Sequence, residues 1–138
     1  MTFEIDDLRR LVDARGPSGD EHDVAAAFET LIEPHVDHTS TDDFGNLVAT
    51  SEGSGDGPEI LLAAHTDELA FLIDGITDDG FLRFSWLGAH YPGNFAGQTV
   101  EVGADRVPGV IGPKSRHRMD DDEVDSLPDD WYIDLGAD

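Results

Sequence analysis

Two helical patterns of apolar residues occupy the first quarter of the chain. Apolar residues over 3–14 recur at near-helical spacing, which predicts a short amphipathic helix that a following Gly-Pro pair ends. Ser18 and Glu21 have the spacing of a capping box, so we expect a second helix that stops at Pro34. Its apolar stripe consists of Val24, Phe28, Leu31 and Ile32.

The pattern then changes to that of extended chain. Residues 35–41 and 47–50 favour strands on either side of turn-forming residues, and the composition of 51–58 is that of a flexible loop. The unbroken apolar run within 59–64 is typical of a strand buried on both faces. Two helices followed by strands that include a buried one predict an α/β core.

The second half of the chain shows no helical stripe. Residues 69–76 and 81–87 flank a short Asp-Asp-Gly turn, and residues 98–102 and 107–111 flank a second turn, so two hairpins are predicted. Residues 131–135 favour one more strand. This part of the chain is therefore expected to be β-rich.

A change of character near residue 68 divides the chain. Residues 1–68 are predicted to form an α/β segment and residues 69–138 an all-β segment, with the acidic stretch 120–130 as a solvated linker. A β-module without a closing element after 131–135 would leave open sheet edges. Neither segment has the pattern of a finished domain, so both are interpreted as incomplete.

Acidic residues dominate the charge. The chain carries 31 Asp and Glu against 8 Lys and Arg, which gives a net charge of −23 over 138 residues. This balance excludes a basic nucleic-acid-binding face and argues against adsorption to an anionic membrane. Self-repulsion is screened as the Debye length shrinks from about 10 Å at 0.1 M salt to about 3 Å at 1 M. We therefore predict a halophilic surface, the alternative being an acidic protein with no salt requirement.

The cysteine content and the N-terminal residues bear on the cellular compartment of the protein. The absence of Cys excludes disulfides and thiolate metal sites and fits a reducing compartment. The opening MTFEIDDLRR has acids where a secretory signal would have bases, and apolar runs of five residues are too short to span a bilayer. A cytoplasmic location is expected.

The strongest chemical signal directly follows the predicted buried strand. In the stretch AAHTDE, extended backbone would project His65 and Asp67 to the same side. Ligands of open α/β sheets lie at the carboxyl ends of strands. A carboxylate can fix the tautomer of a neighbouring imidazole so that the other ring nitrogen faces a metal. The residues alone leave open a structural histidine at a strand end and a solvated Glu68.

The other histidines are interpreted as surface residues or loop residues. His22, His35 and His38 lie in or beside the predicted helix and strand and are expected to be solvated. His90 lies in a Gly-Ala-His-Tyr-Pro loop, and the basic neighbours of His117 disfavour a bound cation.

An ordered series of segments resembles the N-terminal portion of the tetrahedral, or glutamyl-type, metalloaminopeptidases, some of which have been labelled endoglucanases. The resemblance covers essentially the whole chain. The segments, in chain order, are GPSGDEHDVAAAFETLIEP, DDFGNLVA, LLAAHTDELAFLI, DDGFLRF, GQTVEV and WYIDLGAD.

The resemblance implies a role for two residues. His65 matches the family's first metal-ligating histidine, and Asp67 matches the aspartate counted as catalytic because it steers that histidine. The resemblance also implies that residues 1–68 are the N-terminal part of an α/β/α metallopeptidase domain. Residues 69–138 would be an incomplete all-β domain inserted into it, which serves assembly. Full-length relatives would bind two divalent ions, zinc or cobalt, and cleave peptides.

The same resemblance implies that much of the site is missing here. The bridging aspartate, the general-base glutamate, the other acidic ligands and the last histidine lie beyond the point that matches Asp138. This chain would supply at most one ligand, so the isolated chain is expected to be inactive.

Three hypotheses follow. The first is the N-terminal part of a halophilic metalloaminopeptidase that forms homo-oligomers. The second is a truncated, non-catalytic paralogue that docks on a full-length subunit. The third, an unrelated acidic binding domain, leaves the ordered series of segments unexplained.

Overall fold

A computed structural model describes residues 4–89, 91, 94–112 and 131–136. The chain divides into two compact units, Met1–Leu69 and Ala70–Asp138. This division lies beside the boundary predicted near residue 68.

The first unit begins with two helices. Helix α1 spans Ile5–Asp13, and helix α2 spans His22–Ile32 and continues into a 3₁₀ turn at Glu33–His35. The two predicted helices are therefore confirmed. Val24 of α2 is buried, whereas α1 buries no residue.

The predicted capping box is wrong. Helix α2 has Glu21 as its N-cap residue, and no side chain caps it. The backbone N–H of Asp20 donates to the carbonyl of Pro17, which closes a turn before the helix starts. Because this turn separates Ser18 from the first helical residue, the Ser18 hydroxyl is free to bond elsewhere.

A two-stranded hairpin completes the regular structure of this unit. Strands β1 (His38–Thr41) and β2 (Leu47–Thr50) pair antiparallel. Asp42 organises the turn between them by accepting hydrogen bonds from the backbone N–H groups of Phe44 and Asn46, both at 2.9 Å. Gly45 has a φ of 87°, a conformation that glycine adopts without strain.

The predicted buried strand at 59–64 is not formed. These residues carry no regular secondary structure and are exposed, and Leu61 keeps 88% of its surface accessible. A strand buried on both faces needs neighbouring strands and covering layers. Within residues 4–69 the paired strands are β1 and β2, which pair with each other, so no strand in this described range lies beside the apolar run.

The second unit contains a five-stranded antiparallel sheet. Its spatial order is β3-β4-β7-β6-β5, so the last strand in sequence lies in the middle and joins the two predicted hairpins. Within the described residues the sheet is open, and its edge strands are β3 and β5, so the open edges expected from the sequence are present. The strands are β3 (Ala70–Ile76), β4 (Leu82–Leu87), β5 (Thr99–Val102), β6 (Val107–Gly112) and β7 (Tyr132–Asp134).

The core of the second unit lies on one face of this sheet. Ile111 and Ile133 are paired across β6 and β7 and are almost fully buried. They pack with Leu82 and Trp131. Aromatic rings extend the cluster in edge-to-face contacts, among them Phe71 with Phe84 at 4.8 Å between ring centroids and Trp86 with Trp131 at 5.8 Å.

Some predictions concern residues that the structure does not describe. The proposed linker 120–130, His90 and His117 fall outside the described residues. In the parts of the chain that are described, none of the helices has the length and apolar character needed to cross a membrane.

Candidate functional site

The candidate residues lie where two segments of the first unit meet. One is the loop before α2 and the other is the segment 65–68. The backbone N–H of Glu68 donates to the carbonyl of Gly16 at 2.7 Å, and the N–H of Gly16 donates to Glu68 Oε1 at 3.1 Å. A parallel bridge between Pro17 and Glu68 continues this contact. The two segments are thus fastened together by backbone and side chain.

Close approach explains the glycine at position 16. A Cβ atom there would lie 2.6 Å from Val24 Cγ1 and 3.1 Å from the carbonyl oxygen of Thr66. Gly16 is buried, so the loop can lie against both α2 and the 65–68 segment only without a side chain at this position.

The two residues selected from the sequence are in direct contact. His65 Nδ1 lies 3.0 Å from Asp67 Oδ1 and 3.1 Å from the Asp67 carbonyl oxygen. A carbonyl oxygen and an ionised carboxylate only accept hydrogen bonds, so Nδ1 carries the proton and donates. In the neutral imidazole with this tautomer, Nε2 carries the lone pair, and the side chain is 86% exposed.

Asp67 is held on its other side by a serine. The Ser18 hydroxyl donates to Asp67 Oδ2 at 2.5 Å. The pKa of Asp67 is lowered from its ordinary value, first because the Ser18 hydroxyl hydrogen-bonds its ionised form and next because His65 does so. The carboxylate therefore stays charged and occupied at both oxygens.

This arrangement fits His65 as one ligand of a metal ion. An imidazole whose Nδ1–H donates to a carboxylate is the usual geometry of a metal-binding histidine. Glu68 Oε1 and both Asp67 oxygens are already used within the site. The described residues contain no group of three or more potential metal ligands, whereas zinc normally takes three or four from a protein.

Three other histidines lie at the surface, as predicted. His22 contacts Asp20 through Nδ1 at 2.6 Å and Asp23 through Nε2 at 2.9 Å. His38 Nε2 lies 3.7 Å from Glu52, and His35 ends the 3₁₀ turn. All three are exposed.

Sequence reasoning missed Ser18 and the role of Gly16. Ser18 lies 49 residues before its partner, and its local pattern favours a helix cap. No local signal connects it with Asp67, because the contact depends on how the two segments fold against each other.

Comparison with known proteins decides the family. The family model of the M42 glutamyl aminopeptidases matches residues 45–138, well over half of the chain. The chain belongs to this family. The resemblance found in the sequence is thereby confirmed.

Relatives of known structure share the fold of this M42 chain. The TET aminopeptidase of a marine-sediment archaeon of the Thaumarchaeota superposes with a TM-score of 0.83 at 33% identity, covering 96% of this chain and 38% of that chain. The TET1 peptidase of Pyrococcus horikoshii gives a TM-score of 0.75 at 33% identity, covering 97% of this chain and 41% of that chain. The α/β architecture expected from the sequence is thus supported by structural likeness.

Sequence comparison also finds an aminopeptidase that is similar to nearly the whole of this chain. The lysyl aminopeptidase of Pyrococcus furiosus is 26% identical over 94% of this chain and 39% of its own length. The M42 chain spans 38–39% of the length of the first curated relatives that it matches. Its similarity therefore concerns a part of those proteins.

Proposed function

We propose that the chain is the N-terminal part of a metal-dependent aminopeptidase that removes N-terminal residues from peptides by two-metal hydrolysis. His65 is the metal ligand, through Nε2, and Asp67 orients it. The observation that carries this proposal is the His65–Asp67 hydrogen bond, which leaves Nε2 bare in a member of the M42 family.

Two divalent ions, zinc or cobalt, would polarise the peptide carbonyl and activate the attacking water in the complete enzyme. This chain contributes one imidazole to their binding. Hydrolysis also needs a general base and further ligands. Because the described residues contain no group of three or more potential metal ligands, we propose that the 138-residue chain is inactive by itself.

An assembly role is proposed for residues 69–138. The TET1 peptidase of Pyrococcus horikoshii can assemble into a tetrahedron or a large octahedral shell. The matching β-sheet of this chain would serve contacts between subunits of a homo-oligomer.

A cytoplasmic location is also proposed, because the lack of Cys fits a reducing compartment.

A halophilic surface is proposed from the net charge of −23. Salt screens the repulsion between acidic side chains, so the melting temperature by circular dichroism should rise between 0.1 M and 3 M KCl. An identical fold and melting temperature at both concentrations would contradict this proposal.

A second candidate function is that of a truncated, non-catalytic paralogue that docks on a full-length subunit. Its support is the exposure of three consecutive apolar side chains, Ile60, Leu61 and Leu62. A subunit of the same family would offer an apolar layer that removes this run from water.

Turnover of an aminoacyl substrate and bound metal test the first candidate. The purified chain in 3 M KCl with added zinc or cobalt should show no turnover, and its weak metal binding should fall in His65→Ala but not in the surface control His35→Ala. Turnover by the chain alone would contradict the proposed inactivity. Metal binding that His65→Ala leaves unchanged would contradict the ligand assignment.

Co-elution tests the second candidate. The chain is mixed with a purified full-length M42 subunit and analysed by size-exclusion chromatography with light scattering. Docking through the apolar run predicts a complex that Leu61→Asp abolishes and Phe44→Asp, at the exposed hairpin tip, preserves. Separate elution of the wild-type chain would contradict docking.

A further inference from the structure

The Ser18 hydroxyl belongs to the candidate site although it lies on a different segment. It donates to Asp67 Oδ2 at 2.5 Å, while Asp67 Oδ1 lies 3.0 Å from His65 Nδ1. The three side chains form one hydrogen-bonded series in which the carboxylate stands between a hydroxyl and an imidazole. Each carboxylate oxygen has its own partner.

A carboxylate held at one oxygen alone would have rotational freedom. The terminal torsion of an aspartate is broad, and the Asp67 side chain is 41% exposed. Water would compete with His65 for Oδ1 if the group turned. A second hydrogen bond at Oδ2 restricts that rotation and keeps Oδ1 directed at the imidazole.

The loop that carries Ser18 is itself fixed. Pro17 has a restricted φ and forms the parallel bridge to Glu68. Its carbonyl accepts the N–H of Asp20, and Gly16 is hydrogen-bonded to Glu68 on both its N–H and its carbonyl. The hydroxyl is therefore presented to Asp67 from a backbone fastened to the same segment that bears His65.

We propose that Ser18 is a positioning residue, whose hydroxyl holds Asp67 so that His65 remains protonated at Nδ1 and offers Nε2 to a divalent metal. This inference rests on the proposed function, since it assigns His65 as the ligand. In this role Ser18 acts through Asp67, to which its hydroxyl donates.

The tautomer of His65 is the direct readout. Nitrogen-15 NMR of histidine-labelled protein, at a pH well above the ordinary imidazole pKa of about 6.5, distinguishes Nδ1–H from Nε2–H. The wild type should favour Nδ1–H. Loss of one hydrogen bond in Ser18→Ala should lower the ratio of Nδ1–H to Nε2–H by about threefold.

Matched variants separate this role from general effects on folding. Ser18→Thr keeps a hydroxyl and should keep the wild-type ratio. Ser54→Ala, in an exposed loop, removes a hydroxyl elsewhere and should also keep it. If Ser18→Ala loses its far-ultraviolet circular dichroism signal, Ser18→Cys replaces it in the experiment. The thiol has nearly the volume of the hydroxyl and is a weaker hydrogen-bond donor, so this variant should also lower the ratio of Nδ1–H to Nε2–H.

Two results would overturn the proposal in distinguishable ways. An unchanged ratio in folded Ser18→Ala, with Nδ1–H dominant in the wild type, would remove Ser18 from the site and leave Asp67 and the proposed function standing. Dominant Nε2–H in the wild type would show that Asp67 does not orient His65, and the proposed function would lose the observation that carries it.

Discussion

The second unit has a cluster of buried apolar side chains, which consists of Leu82, Ile111, Trp131 and Ile133. In the first unit, Met1–Leu69, the buried apolar side chain among the described residues is that of Val24. The candidate chemistry lies in the first unit, which has little core of its own. The β-sheet that supplies no candidate ligand is the better packed. Packing and chemistry are thus separated along this chain.

Two sets of apolar side chains illustrate this difference in packing between the units. The run at Ile60, Leu61 and Leu62 is fully apolar yet exposed, while Ile111 and Ile133 alternate with more accessible residues and are buried. An apolar side chain is buried when other elements cover it. The second unit contains its covering elements, and the first would need them from elsewhere.

The largest effect is expected in the core of the second unit. Ile133→Ala, at a side chain 1% exposed, should reduce the free energy of unfolding by about 2 to 5 kcal/mol because it removes buried methyl groups and leaves a cavity. Both tryptophans lie in this unit, so tryptophan fluorescence during urea unfolding reports on it. Ile76→Ala, at a side chain 68% exposed, is the matched control. Equal losses in both variants would remove the distinction between core and surface.

A smaller effect is expected where the two segments of the candidate site meet. Gly16→Ala places a methyl group 2.6 Å from Val24 Cγ1 and should destabilise the first unit by about 1 to 3 kcal/mol. Amide hydrogen exchange at Glu68, whose N–H donates to Gly16, measures the local loss. Gly53→Ala meets nothing within 4 Å and is the control. Unchanged exchange in Gly16→Ala would contradict the close approach.

Acid should weaken the hairpin turn of the first unit. The pKa of Asp42 is lowered, first by the side-chain hydrogen bond from Asn46 and then by the backbone N–H of Asn46. The ionised Asp42 carboxylate therefore stabilises the folded state at pH values above its ordinary pKa of about 3.9. This stabilisation is lost as the pH falls through the lowered pKa. The difference in unfolding free energy between wild type and Asp42→Asn should be largest at neutral pH and shrink in acid. Asp43→Asn, in the same turn but at a side chain that is not the acceptor of these hydrogen bonds, is the control.

The smallest effect is expected at the exposed apolar run. Leu61→Ala should change the unfolding free energy by less than about 0.5 kcal/mol because the side chain is already in water. Leu82→Ala, in the core, provides the contrasting case. A loss at Leu61 comparable to that at Leu82 would mean that the run is covered, and the comparison between the units would fail.

Local elements were predictable from the sequence, and contacts between distant segments were not. Periodicity and turn residues located both helices, the turn between β1 and β2, and the two hairpins, since each depends on neighbouring residues. The central place of β7 depends on pairing with strands far away in sequence. The run at 59–64 was misread because burial depends on what surrounds a strand.

The candidate site shows the same limit. His65 and Asp67 are two residues apart, so their spacing could predict that both side chains project to the same side of extended backbone, and the structure places them in contact. Ser18 was assigned to a helix cap because its true partner lies 49 residues away. Gly16 carried no visible signal beyond its place before a proline, since its close contacts arise only in the folded loop.

The most direct test of the account is a zinc titration followed by nitrogen-15 NMR of the histidine side chains. An imidazole with Nδ1 bonded to a carboxylate is the more basic ligand, so the Nε2 signal of His65 should respond to zinc before that of His35, and magnesium, which prefers oxygen ligands, should leave it unmoved. A response of His35 at or below the zinc concentration that moves His65 would contradict the assignment of His65 as the metal ligand.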